Sequence, residues 1–416
     1  MKENKNRLVV ALTLIFSLFF IWAISSNLLP TMIRQLMKTF ELSAFQASLT
    51  EASYWIAYFI FPIPIAMFMK RYSYKAGIVV GLLIAAVGGL LFFPASQIQQ
   101  YWAYLGIFFV IATGMCFLET AANPYVTVLG DAESAPRRLN LAQSFNGLGA
   151  FIAAMFLSKL VLGDSDFTRE TLPADYPGGW DGFVATATNS MKIPYLILAT
   201  VLIVIAAAIA ITKLPRIEEE SEPDANAKLI DFGVLRRSHL RNGVIAQFFY
   251  NGGQTAVNAM FLIYSCKYVG LSESTATTFF GLYMLAFLGG RWIGTLLMGR
   301  FRPQDMLVVY ALINVVLCAV IIVIGGMTGV YAMLGVSFFM SIMYPTQFSL
   351  ALENLGPRTK SGSAFLVMAI VGNVILPPLT AKIMDTAAVY HIAYIVPLVC
   401  FAVCAYYGWR GYKVID

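Results

Sequence analysis

Apolar runs of about 20 residues, the length a helix needs to cross a bilayer, recur twelve times along this 416-residue chain. They fall at 8–37, 46–69, 76–95, 102–129, 139–162, 191–213, 242–267, 274–298, 305–325, 330–354, 360–383 and 391–410. Inside hydrocarbon every backbone polar group must be satisfied within the chain, so runs of this kind are read as helices. The expected class is therefore an all-α polytopic membrane protein with twelve transmembrane helices. Charged residues make up 12% of the chain, against about a quarter in soluble domains, which excludes a soluble enzyme. The short basic N-terminus, Met1 to Arg7, leads into a full span without a cleavage site, so it is read as the first transmembrane helix rather than a signal peptide.

A net charge of +6 could suggest nucleic acid, but the placement of the basic residues explains it better. With a cytoplasmic N-terminus, 20 of the 28 Lys and Arg residues fall on the cytoplasmic side and seven on the other, with Arg291 inside helix eight. This bias predicts both termini in the cytoplasm and a lipid bilayer, not nucleic acid, as the surroundings. The chain also repeats itself. At an offset of 229, Phe19-Phe20 matches Phe248-Phe249, Leu42-Ser43 matches Leu271-Ser272, Tyr54 matches Tyr283 and Arg71 matches Arg300. Further on, Pro136-Arg137 follows Pro124 by twelve positions, as Pro357-Arg358 follows Pro345. Two pseudo-symmetric six-helix halves are expected, 1–213 and 242–416, joined by a cytoplasmic linker at 214–241 that holds Glu218-Glu219-Glu220. Residues 163–190, with Asp164, Asp166, Asp175 and Asp181, read as a polar loop between helices five and six. Two parallel six-helix repeats are the arrangement of the major facilitator fold, with the substrate site near the midplane.

Polar side chains inside the spans carry the functional reading. Glu119 lies in an apolar run from Tyr104 to Leu129 with no cation near it in sequence. An ionised carboxylate in hydrocarbon is costly, and intramembrane acids mark ion pathways by default. Glu119 is therefore read as a proton carrier, loaded from outside and emptied inside; its structural alternative is a carboxylate held by a buried hydroxyl or amide. Asn251, Gln254 and Asn258 stand at i, i+3 and i+7 of helix seven, one stripe on an apolar span that should face a cavity, with Gln254 the first choice. Asn27 is the amide of helix one, the repeat partner of helix seven, and Gly252-Gly253 is expected to let helix seven bend. Tyr54 and Tyr283, related by the repeat, are candidate aromatic contacts of a substrate. Asn123-Pro124 and Tyr344-Pro345 read as kinks in helices four and ten. The five cysteines all lie in apolar runs and only two histidines exist, so no metal site is expected and the proton is the only coupling ion. No nucleophile–base pair or phosphate loop appears, which sets a membrane enzyme aside. A receptor that kept the fold would carry a signalling extension, and none is expected, with the chain ending soon after Arg410.

Several strings carry a family resemblance. They are Phe19-Phe20-Ile21-Trp22-Ala23, Leu118-Glu119-Thr120-Ala121-Ala122-Asn123-Pro124, Arg138-Leu139-Asn140-Leu141-Ala142-Gln143 with Phe145-Asn146, and Gly290-Arg291-Trp292-Ile293-Gly294. With these, the sequence resembles the fucose–galactose–glucose:proton symporter family of the major facilitator superfamily, and most the fucose permeases. The resemblance implies a secondary active transporter that imports a monosaccharide, L-fucose or a related hexose, with a proton by alternating access. It implies a monomer in a bacterial inner membrane, a helix-four proton acid at Glu119 and sugar-contacting amides at Gln143 and Asn146. Amides suit a polyol because both offer donors and acceptors; their alternative role is as interhelical glue. The family also has an aspartate late in helix one, where this chain has Pro30. That departure keeps open a uniporter or a differently coupled carrier. Glu51, where fucose permeases tend to have a glutamine, is the nearby acid that could compensate, unless it pairs with Arg34 or Lys38. Arg291 is read as a gating contact rather than a sugar ligand.

Overall fold

The computed structural model describes residues 2–153, 167, 169–212, 231–387 and 389–414. The end of predicted helix five, Asp164 and Asp166 of the polar loop and Glu218–Glu220 of the linker lie outside them. Seventeen α-helices run in chain order among the described residues: α1 (Lys2–Asn27), α2 (Leu29–Thr39), α3 (Ala44–Ile60), α4 (Pro62–Arg71), α5 (Tyr74–Leu90), α6 (Phe92–Ile98), α7 (Tyr101–Val128), α8 (Ala135–Ile152) and α9 (Gly179–Ile211). After the gap follow α10 (Ser238–Ile263), α11 (Glu273–Leu297), α12 (Pro303–Ile324), α13 (Gly326–Met340), α14 (Met343–Ala351), α15 (Thr359–Met368), α16 (Gly372–Thr386) and α17 (Ile395–Tyr406).

Several predicted helices are thus broken ones. Nine helical stretches among the described residues are long and apolar enough to cross a membrane, or ten when the bent pair Leu49–Ile60 and Pro62–Arg71 counts as one. Predicted helix two bends by 43° at that pair, because Pro62 lacks an N–H and its ring clashes with the preceding turn. Predicted helix ten breaks between α13 and α14, just ahead of Pro345, whereas Pro124 is accommodated inside a continuous α7. Helix six starts at Gly179, about three turns before the predicted boundary. Its early part is amphipathic, burying Phe183, Ala187 and Met191 at i, i+4 and i+8, a pattern that a search for unbroken apolar runs passes over. Helix seven, α10, is less apolar than the other spans because Asn242, Gln247, Asn251, Gln254 and Asn258 interrupt the run.

The sequence repeat reappears as structure. Ser43 caps α3 by accepting from the Gln46 backbone, and Ser272, its partner at offset 229, caps α11 by accepting from the Thr275 backbone.

The chain divides into two compact units, Met1–Ala122 with Leu148–Arg216, and Asn123–Gly147 with Ile217–Asp416. In the first, α9 packs along α5, and Phe92 stacks on Tyr195 with ring centroids 4.1 Å apart. A Cβ on Gly114 of α7 would stand 2.6 Å from the Gly81 carbonyl oxygen of α5, so these helices touch backbone to backbone, the close approach that small residues permit in membranes. In the second, α10 packs on α16 and α17, and α12 on α13 and α17. Gly252 and Gly253 serve this packing and not the expected bend. Cβ atoms there would meet the Gly372 carbonyl at 2.8 Å and Cys400 at 2.7 Å, while α10 stays helical across them.

Candidate functional site

In the first unit the polar residues gather around Glu119. The side chain is buried, 6% exposed, on α7. Its carboxyl stands near enough to Tyr54, Tyr58 and Cys116 for its charge to act on each. Tyr54 and Tyr58 lie one turn apart on α3, both buried, with rings stacked at 27° and centroids 5.8 Å apart. The Tyr54 hydroxyl shares a hydrogen bond of 3.0 Å with the Ser26 hydroxyl of α1. The next residue, Asn27, is exposed and donates to the Ala23 carbonyl at 2.8 Å, which leaves its amide oxygen to accept from a ligand. Glu51, at the exposed start of α3, makes no ion pair among the described residues; the expected pairing with Arg34 or Lys38 is absent there.

The second unit holds the other amides. Gln143 of α8 is buried and donates through Nε2 to the Asn123 side-chain oxygen at 3.1 Å. Asn146, one turn further along α8, is half-buried. The helix-seven stripe separates into three environments. Asn251 is buried and donates to the Gln247 carbonyl at 2.7 Å, while Gln247 donates to the Tyr344 carbonyl at 2.8 Å. Asn258 accepts a short hydrogen bond from the Tyr283 hydroxyl. Gln254 between them is half-buried and makes no side-chain hydrogen bond among the described residues, so both ends of its amide are available. Thr255 donates through its hydroxyl to the Asn373 side-chain oxygen at 2.8 Å, adding α16 to the polar face.

Arg291 of α11 is a buried cation of this unit, 4% exposed. Its Nε donates to the Ser341 carbonyl at 2.8 Å and one terminal nitrogen donates to the Gln143 carbonyl, also at 2.8 Å. The guanidinium lies 4.5 Å from the Phe287 ring centroid. It has no carboxylate within ion-pair distance among the described residues. The break after α13 makes this possible, because Ser341 lies beyond the end of that helix, where carbonyls lack intrahelical donors. Two neighbouring bonds join the same elements: Asn140 donates to the Thr346 hydroxyl at 3.0 Å, and Phe145 and Trp292 meet edge to face at 5.7 Å.

Tyr54 and Tyr283 are both 1% exposed with their hydroxyls bonded to the first helix of their own half. The sequence pattern did not single out Ser26, Tyr58, Gln247 or Asn373. The spacing of Tyr58 four residues after Tyr54 was the signal that could have joined it to the cluster.

Comparison with known proteins is consistent with this arrangement. The family model of the Major Facilitator Superfamily matches residues 14–377. The L-fucose-proton symporter of Escherichia coli (strain K12) is 38% identical over 400 residues, 95% of this chain and 91% of that one. A glucose/galactose transporter of Brucella abortus is 36% identical over 97% of this chain and 94% of its own. A crystal structure of the E. coli fucose:proton symporter FucP superimposes with a TM-score of 0.90 at 37% identity, covering 98% of this chain and all of the other. A proton:xylose symporter, XylE, shares the fold at 14% identity and a TM-score of 0.73. This chain belongs to the major facilitator superfamily, in its fucose–galactose–glucose:proton symporter family, and is a transporter rather than an enzyme.

Proposed function

We propose that this chain is a secondary active transporter that imports a monosaccharide, L-fucose or a related hexose, together with a proton by alternating access. The observation that carries the reading is Glu119, a buried carboxyl among hydroxyls in a membrane span. Relatives named as sugar–proton symporters support it over nearly the whole chain. Glu119 takes a proton when the site is open to the outside and releases it when open to the inside; the sugar travels in the same step. Asn27, Gln143, Asn146, Asn251, Gln254 and Asn258 supply donors and acceptors to the sugar hydroxyls, Gln254 foremost because its amide is unengaged. Tyr54 and Tyr283 hold the first helix of each half and bring their rings to the sugar from behind it. Arg291 is a gate contact that ties three helices and must let go as the cytoplasmic side opens. Glu51 is exposed, so its charge needs no partner, and the coupling proton is assigned to Glu119. The bacterial relatives support a bacterial-type inner membrane, and the basic-residue bias supports both termini cytoplasmic, with the halves 1–213 and 242–416 moving about the linker. The transporter acts as a monomer, with the proton as its only coupling ion.

The test is uptake of labelled L-fucose by cells expressing the chain, with and without a protonophore. Wild-type protein accumulates sugar and loses accumulation with the protonophore. Glu119→Gln, which keeps the shape and cannot ionise, fails to accumulate yet still exchanges sugar. Accumulation by Glu119→Gln at the wild-type level removes Glu119 from the mechanism. Pro30, in place of the family's helix-one acid, favours one second reading, a uniporter, for which wild-type uptake would equilibrate and ignore the protonophore.

A further inference from the structure

In the second unit α10 and α16 meet at two glycines. A Cβ on Gly372, the first residue of α16, would stand 3.2 Å from the Gly252 backbone nitrogen of α10. One turn further on, Leu376 joins Val396 and Cys400 in an apolar cluster against which Phe248 and Phe249 of α10 pack. Small residues and apolar packing therefore hold these two helices together without help from a polar bond. Asn373 follows Gly372, and Thr255 stands one turn beyond Gly252, so the close approach brings two short side chains within reach. The Thr255 hydroxyl donates to the Asn373 side-chain oxygen at 2.8 Å.

What this bond fixes is the direction of an amide. An Asn side chain carries an acceptor oxygen on one arm and a two-proton donor on the other. A hydroxyl that donates to the oxygen turns the nitrogen away from itself. Asn373 is half-buried, and its Nδ2 is neither bonded nor sealed in the core among the described residues. The same device recurs at Asn258, whose side-chain oxygen accepts from the Tyr283 hydroxyl and whose Nδ2 is likewise unbonded. Asn258 lies three residues after Thr255 and four after Gln254, so all three share one face of α10, and Thr255 ties Asn373 to that face. The face thus carries two amides held with their N–H groups outward beside Gln254, whose unengaged amide can turn either way.

We propose that Asn373 is a sugar-contacting residue which, with Asn258, forms a pair of fixed amide donors that select the substrate by its acceptor oxygens, and that Thr255 is the positioning residue that sets the Asn373 amide. A donor already oriented loses little freedom when the sugar binds. It also cannot accept, so the sugar must present an oxygen lone pair to each amide. A ring carrying hydrogen in place of oxygen there leaves polar N–H groups unpaired and is rejected, the strongest form of selection open to such a site. The class selected is a monosaccharide with two oxygen acceptors on the side that meets these amides. This assignment deepens the sugar-transport reading and rests on it.

The test measures exchange of internal for external labelled L-fucose in proteoliposomes, or D-galactose if the wild type does not move L-fucose. Exchange makes no demand on proton coupling. The proteins compared are wild type, Asn373→Leu, Thr255→Val and the double variant, each with its thermal midpoint in detergent. In Asn373→Leu the KM rises about tenfold while the limiting rate stays within about twofold, the signature of a lost binding contact. Thr255→Val raises KM about threefold by itself and not at all in the Asn373→Leu background, because it acts through that amide. A bond that merely joined the helices would lower the midpoint and leave KM alone, so a wild-type KM in Asn373→Leu overturns the assignment. An equal rise from Thr255→Val in both backgrounds overturns the positioning role. Wild-type protein that exchanges neither sugar overturns the transport reading itself, which separates that failure from the other two.

Discussion

At the scale of single residues, sugar binding depends on which polar groups are already bonded within the protein itself. Gln254 is the one amide of the helix-seven stripe without a side-chain hydrogen bond among the described residues, while Asn251 and Asn258 are held by Gln247 and Tyr283. An amide that gives a ligand two hydrogen bonds contributes about 1–2 kcal/mol, so Gln254→Ala is expected to weaken sugar binding by roughly tenfold, or 1.4 kcal/mol. Isothermal titration of the purified protein with the transported sugar checks this; an unchanged affinity takes Gln254 out of the sugar site. Glu119 and the helix-seven stripe were legible in the sequence because a charge or an amide in an apolar run stands out against it. Ser26 and Tyr58 were not, because hydroxyls and aromatic rings are common in membrane helices and it is the fold that sets both against Tyr54. The partner of Gln143 was hidden for a similar reason: Asn123 precedes a proline and read as part of a kink.

At the scale of helices, Arg291 poses the clearest balance of terms. Burying a cation without a counter-ion costs several kcal/mol, and its two charge-assisted hydrogen bonds return about 1.5–3 kcal/mol each. These nearly cancel, so the residue is kept for what the contact does and not for stability. Arg291→Met is therefore expected to leave the thermal midpoint of the detergent-solubilised protein within a few degrees, while net sugar transport falls at least about tenfold. A midpoint drop of more than about ten degrees would make Arg291 a stability element. The all-helical, many-span class and the repeat could be read from pattern, since apolar length and offset both survive in one dimension. The breaks at Leu28, Pro62 and Ser341 were only partly legible. Pro62 announces its own bend, but the interruption at Ser341 comes ahead of Pro345 and becomes meaningful only because Arg291 reaches that carbonyl. Helix six was placed too late because its first turns are amphipathic and interleave Asp181 and Asn189 with buried apolar residues.

For the whole molecule, the central claim is that sugar entry and proton entry are one event carried by Glu119. The class and the family followed from composition, spans and a few strings of sequence, because a membrane leaves a chain few folds and the LETAANP and RLNLAQ strings are specific. The coupling was less legible, since Pro30 removes the acid that the family resemblance supplies on helix one. The most direct measurement is the external pH of a lightly buffered, energy-depleted suspension of cells expressing the chain, recorded as L-fucose is added. Proton symport draws protons inward with the sugar, so the medium turns alkaline with wild-type protein and stays flat with Glu119→Gln. Entry of labelled sugar through the wild-type protein with no pH change would contradict the account.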